Sequence, residues 1–145
     1  MTGADDGVYT DGSASPNPGP GGWGAVWVVD GSIVAETHGH EPNETTNNRM
    51  ELIAVREGAR LVPEGVPAII WSDSKLVVQT MNDWAAGWKQ RGWKRRRGQV
   101  ENLDLVQPIY EYLLGRPELE LRWIKAHAGH RWNEYADMLA TRWMA

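Results

Sequence analysis

Cysteine is absent from the 145 residues. Without thiols there is no disulfide framework and no thiolate metal site, so any bound metal must rest on oxygen or nitrogen ligands. Also missing is an apolar run near the ~20 residues that a membrane-spanning helix needs. The opening stretch, Met1 to Asp6, is polar and acidic rather than basic and then apolar, so it does not read as a secretory leader. Together these absences lead us to expect a reduced, cytoplasmic setting. What is present is ordinary globular composition, 23% charged and 41% hydrophobic, which excludes disorder and collagen-like repeats. The length suits one domain spanning residues 1–145.

Charge is unevenly distributed. The formal net charge is −4, which by itself argues against a nucleic-acid partner. Between Trp84 and Gly98, however, stand Lys89, Arg91, Lys94, Arg95, Arg96 and Arg97 with no acid among them, a charge of +6. Elsewhere nine basic residues face all 19 acids, a net −10. A basic lobe on an acidic body implies one surface for a polyanion and a separate place where carboxylates collect. Trp84, Trp88 and Trp93 interleave aromatic faces with that positive charge.

Along the chain, Val8 to Ala14 reads as a strand closed by the turn-rich Ser15 to Gly22. Trp23 to Val29 and Ile33 to His38 read as two more strands around an Asp30-Gly31 hairpin turn, so the first three strands should be antiparallel. Thr46 to Leu61 changes to a helical period, with Met50, Ile53, Ala54, Glu57 and Leu61 on one face and threonines to cap its start. Ala68 to Trp71 is a short strand, and Ser74 to Trp84 a helix with Val77, Met81 and Trp84 on one face. A second helical stretch, from about Val100 to Leu114, contains Pro108, which predicts a kink or a late start. Leu119 to Ile124 reads as a strand and Asn133 to Trp143 as a closing helix. The order β-β-β-α-β-α-α-β-α gives an α/β fold, a five-stranded mixed sheet flanked by helices.

Acids in or just after apolar strands are the informative ones, because ionisation there is costly without a compensating cation. Asp11 lies within Val8 to Ser13, and Asp73 ends the run Ile69-Ile70-Trp71-Ser72. Either one alone also reads as a turn or cap residue. Glu51 and Asp137, taken singly, read as surface acids on amphipathic helices, although helices docked on the sheet can bring them to the strand acids. Four converging carboxylates would repel one another, and hard divalent ions are the natural remedy. Two such ions ~4 Å apart are the recognised device for in-line phosphoryl transfer. His127, in a loop before the last helix, is a proton-shuttle candidate beside such a site. His130 reads as structural or incidental.

These residues carry a resemblance. Tyr9-Thr10-Asp11-Gly12-Ser13, Asn17-Pro18-Gly19-Pro20-Gly21-Gly22, Thr45-Thr46-Asn47-Asn48-Arg49-Met50-Glu51-Leu52, Ser72-Asp73-Ser74, and His127-Ala128-Gly129-His130 with Asn133-Glu134 and Asp137 resemble type 1 ribonuclease H in order and spacing across nearly the whole chain. The resemblance implies a ribonuclease H-like fold and an endonuclease that cuts the RNA strand of RNA–DNA hybrids independently of base sequence, leaving 5′-phosphate and 3′-hydroxyl ends. It implies two Mg²⁺ ions, with Mn²⁺ as a substitute, held by catalytic acids at Asp11, Glu51, Asp73 and Asp137. A catalytic histidine falls on His127, and an auxiliary acid for metal binding or product release on Glu134. Asn17, Thr46 and Asn47 match residues that contact the nucleic-acid backbone. The lobe resembles the basic handle of the bacterial branch, where Trp84, Trp88 and Lys89 match hybrid-contacting positions; Arg91, Trp93, Lys94, Arg95, Arg96 and Arg97 extend the same surface. Lys75 stands where a glutamine is common and adds a candidate phosphate contact, and Ala126 replaces a frequent glycine. The family leads us to expect a monomer.

Overall fold

The computed structural model describes residues 5–95, 98–126 and 128–145. Its strands are β1 (Gly7–Ala14), β2 (Gly19–Val29), β3 (Ser32–Thr45), β4 (Ala68–Ser72) and β5 (Leu119–Trp123). They form one five-stranded sheet in the order β3-β2-β1-β4-β5, antiparallel from β3 to β1 and parallel from β1 to β5. β1 is therefore central, with a hydrogen-bonded neighbour on each edge. The β2–β3 turn has φ of 51° at Asp30 and 75° at Gly31, the left-handed pair a tight hairpin needs, and so the Asp-Gly signal is borne out.

Both hairpin strands are longer than the sequence pattern indicates. β2 begins at Gly19, inside the stretch read as turn, and β3 continues to Thr45 rather than stopping at His38. Cross-strand pairing such as Gly21 with Glu41 and Gly22 with His40 extends the ladder where side-chain hydropathy is silent.

Helix α1 (Asn47–Leu61) packs on one face of β1 and β2, and α5 (Arg131–Thr141) packs on the other. Successive strand residues therefore divide between two cores. Val8, Ala25 and Ile70 join Leu52, Val55, Ala59 and Ile109 on the α1 side, whereas Tyr9, Val26 and Val28 join Trp132, Ala136 and Leu139 on the α5 side. Close approach on each face needs glycine. A Cβ on Gly24 would stand 2.5 Å from Leu139 Cβ, and one on Gly12 would stand 2.3 Å from the Met50 carbonyl carbon.

The α1 face differs from the one the spacing predicts. Ile53, Glu57 and Leu61 are only half-buried, and the buried ridge runs through Leu52, Val55 and Ala59 with Met50, Glu51, Ala54 and Gly58. α1 is covered by the sheet and also by α4 (Leu103–Leu114), so its apolar surface is wider than one stripe.

The second helix is also different. α2 (Lys75–Gln79) passes through a π-helical turn, Thr80–Trp84, into α3 (Ala85–Gln90), so helix enters the basic lobe. The wider turn changes the direction in which its side chains project: Val77 and Met81 are buried as expected, but Trp84 is 41% exposed. α4 starts at Leu103 and runs through Pro108, whose solvent-exposed position limits the cost of its missing donor. At the far end of the sheet, Arg116 is buried. It pairs with Glu118, contacts Tyr112 Oη at 2.9 Å and donates to the carbonyls of Val62 (3.1 Å) and Pro63 (2.9 Å), tying the α1–β4 loop to the start of β5.

Candidate active site

Strand alternation carries Asp11 of β1 to the α5 face, and Asp73 comes directly after β4, the neighbouring parallel strand. Glu51 arrives from the other side, in the first turns of α1. Thr46 caps that helix by accepting from the Arg49 amide at 3.2 Å. Because Gly12 has no side chain, the α1 backbone reaches β1, and the Gly12 amide donates both to Glu51 Oε1 and to Asp11 Oδ1 at 3.0 Å. Ligand-type oxygens of Asp11, Glu51 and Asp73 all lie within 4.8 Å of one another.

Asp11 and Glu51 are buried, at 7% and 8% exposure, so the reading of Glu51 as a surface acid does not hold. Desolvation pushes the Asp11 carboxyl up to about 8, with the Asp73 charge second. Hydrogen bonding and charge from Asp137 push it the same way, which places the fourth acid, on half-buried α5 surface, beside this group. Glu51 is held well above the usual carboxylate range by burial first and then by Asp11 and Asp73. Two buried acids, Asp11 and Glu51, that resist ionisation beside a third carboxylate oxygen ligand fit a hard divalent cation: such an ion relieves both the repulsion and the desolvation.

The remaining candidates sort by position. His127 lies outside the described residues. Glu134 is exposed in the first turn of α5. His130 is structural, as its sequence context predicts: Nδ1 accepts from the Trp132 amide at 3.3 Å, and the ring stacks on Tyr9 with centroids 5.0 Å apart. Asn17, Thr46 and Asn47 meet where the β1–β2 connection touches α1. Asn17 Oδ1 accepts from the Asn47 amide at 3.0 Å, and Asn47 Oδ1 accepts from the Ala14 amide at 2.8 Å.

In the basic lobe, Trp84 and Trp88 lie 6.2 Å apart at centroids, and Trp93 packs edge-on to Tyr110 at 5.8 Å. These contacts give the tryptophans a packing role. Lys89 is paired with Glu111 at 2.8 Å, an α4 acid that sequence distance hides. Among the described residues no acid pairs with Arg91, Lys94 or Arg95, all exposed; Arg96 and Arg97 lie outside the described residues. A cavity of about 340 Å³ opens between this lobe and α1, lined by Trp84, Trp88, Arg95 and Asn48. Asn48 is a residue that pattern reading passes over; its Oδ1 is buried there without a hydrogen-bond partner. So is Arg49, which clamps the start of α4 through Asp104 at 3.0 and 2.7 Å and Asn102 at 3.2 Å. Both sit inside the Thr-Thr-Asn-Asn-Arg-Met-Glu-Leu run, so the signal is present, but no local rule assigns them a partner.

The family model described as RNase H matches residues 5–144. The chain belongs to the ribonuclease H family. A ribonuclease H from Stutzerimonas stutzeri (strain A1501) is 44% identical over 136 residues, 93% of this chain and 88% of that protein. Among solved structures, LC9-RNase H1, described as a type 1 RNase H with the type 2 active-site motif, is 38% identical with a TM-score of 0.77, covering 94% of this chain and 70% of that one. LC11-RNase H1, solved in complex with an RNA/DNA hybrid, shares the fold at 22% identity and a TM-score of 0.69, covering 95% of this chain and 98% of that one. The mixed sheet with its flanking helices is thus the ribonuclease H fold, and this chain is a ribonuclease H enzyme, as its motifs imply.

Proposed function

We propose that this ribonuclease H hydrolyses the RNA strand of RNA–DNA hybrids at the Asp11–Glu51–Asp73 cluster, independently of base sequence, leaving 5′-phosphate and 3′-hydroxyl ends. The observation that carries the proposal is the meeting of three carboxylates within 4.8 Å, two of them buried. The hybrid-bound relative of the same fold supports the choice of substrate.

Asp11, Glu51 and Asp73 would hold divalent metal, and Asp137 completes the set from α5. Two Mg²⁺ ions, or Mn²⁺ in their place, supply a polarised water and a stabilised leaving oxygen when bound. The chain's own share is positional. The Gly12 amide fixes Glu51 and Asp11 relative to each other, so the oxygen ligands are set before substrate arrives. His127, which precedes α5 in the sequence, moves a proton to or from the reacting oxygens, and exposed Glu134 assists release of product.

Recognition falls to polar and basic surface. A hybrid displays 2′-hydroxyls in a broad minor groove, which the Asn17, Thr46 and Asn47 group reads by strand type rather than by base. Trp84, Trp88, Lys89, Arg91, Trp93, Lys94, Arg95, Arg96 and Arg97 form a handle over residues 84–98 that grips the backbone, and Lys75 adds a phosphate contact at the cluster's edge. A single ribonuclease H domain over residues 1–145, acting as a monomer in the cytoplasm, is part of the same proposal. Among the described residues no helix is long and apolar enough to cross a membrane.

The test is a substrate panel of equal length: hybrid, duplex DNA, duplex RNA and single-stranded RNA, each end-labelled, in Mg²⁺. Cleavage of the hybrid's RNA strand, with fragment ends that accept a 3′-tailing enzyme without phosphatase treatment, is expected. Comparable cutting of duplex DNA refutes the substrate assignment, and tight hybrid binding without cleavage leaves only a recognition module.

A further inference from the structure

Trp123, the last residue of β5, is 41% exposed, yet its indole is engaged on both sides. Nε1 donates to the Asp73 carbonyl at 3.3 Å, and the Lys75 ammonium sits over the ring at 4.7 Å from its centroid. The neighbouring amide, Ile124, donates to the Ser72 carbonyl at 2.9 Å, so the end of β5 grips the backbone on which the cluster acid Asp73 is carried.

Lys75 is oddly placed for stability. It opens α2, where a cation opposes the helix dipole, and among the described residues no carboxylate pairs with it. A lysine on a flexible stem samples many rotamers, and a ring face beneath the ammonium removes most of them while leaving its donors open to solvent. The charge is thereby held over the Trp123 ring, on the residue two positions after Asp73.

We infer that Trp123 is a positioning residue for hybrid binding: its ring aims the Lys75 ammonium at the RNA-strand phosphate next to the cluster. The inference rests on the hybrid-hydrolysis reading above and extends it to a residue that touches neither metal nor the scissile bond.

A double-mutant cycle tests it, with KM, kcat and their salt dependence measured for Trp123→Leu, Lys75→Ala and the pair, and thermal melts as a folding control. Trp123→Leu should raise KM about 2–5-fold, the range of an exposed cation–π contact, with kcat nearly unchanged. Lys75→Ala should raise KM and lower the slope of log KM against log salt by a little under one, the loss of roughly one phosphate contact. On the Lys75→Ala background Trp123→Leu should add almost nothing, and Trp123→Phe, which keeps a ring under the ammonium, should recover most of the lost affinity. An additive cycle, or a fall in kcat with KM unchanged, overturns the positioning role while native cleavage of hybrid leaves the functional reading intact. A native protein that does not cleave hybrid overturns both.

Discussion

Asp11→Asn removes a titrating group from a place where burial and neighbouring acids disfavour its charge. In the folded, metal-free chain the Asp11 carboxyl is pushed up to about 8 from an ordinary 3.8. Its folded form therefore keeps a proton that the unfolded chain has already lost near neutrality. For an acid raised in this way, the stability contribution is fully present below pH ~4 and is lost as pH climbs toward ~8. At pH 7 the gap from the unfolded value is about 3 units, a ceiling of about 4 kcal/mol at 1.36 kcal/mol per unit. Glu51 shares the burden, and its repulsion by Asp11 disappears in the same substitution. An asparagine Oδ1 still accepts from the Gly12 amide, so the local geometry survives. We expect the variant to be about 2–4 kcal/mol more stable than the native chain at pH 7 in EDTA, roughly 6–12 °C in Tm for a domain of this size. Hydrolysis should fall to background. Thermal melts monitored by circular dichroism at pH 4.5, 7 and 8.5 check this: the gap should nearly close at pH 4.5 and be largest at 8.5. A variant no more stable than native at pH 7, or a gap that does not shrink with acid, refutes the electrostatic reasoning.

The packing and the surface set three other outcomes. Gly12→Val puts a side chain where a Cβ already stands 2.3 Å from the Met50 carbonyl carbon, so α1 must withdraw; we expect a loss of at least ~2 kcal/mol in denaturant unfolding and loss of hydrolysis even in protein that remains folded. Arg116→Ala leaves the Val62 and Pro63 carbonyls without their donor and should cost roughly 2–4 kcal/mol in urea unfolding, while kcat per folded molecule stays near native. Neutralising Arg95, Arg96 and Arg97 together should weaken hybrid binding and reduce the log Kd–log salt slope by about 2, with kcat at saturation preserved, as measured by titration from 50 to 200 mM salt.

How legible the molecule is from its sequence varies with the range of the forces involved. The Asp30-Gly31 turn, the Thr46 cap and the structural role of His130 are local chemistry, and each appears where the residues predict. Asp11 and Asp73 stand out because an acid in an apolar run is costly wherever the chain folds. Glu51 does not: beside Arg49 it looks like any helix surface acid, and only the tight fit of α1 over Gly12 buries it. The far ends of β2 and β3 are fixed by cross-strand pairing between glycine-rich and polar segments, which periodicity cannot register. Lys89–Glu111 and Trp123–Lys75 join residues 22 and 48 positions apart, distances over which only the folded chain reveals a partner. The π-turn that exposes Trp84 is a backbone choice with no side-chain signature.

The most direct test of the central claim is cleavage of a hybrid carrying distinct labels on its RNA and DNA strands, by native protein and by Asp11→Asn, across a Mg²⁺ titration that starts from EDTA-treated enzyme. Cutting confined to the RNA strand, rising with Mg²⁺ and absent from the variant at every concentration, is the predicted result. Full cleavage by Asp11→Asn, or native cleavage that persists in EDTA, would contradict the assignment of the Asp11–Glu51–Asp73 cluster as the metal-dependent centre.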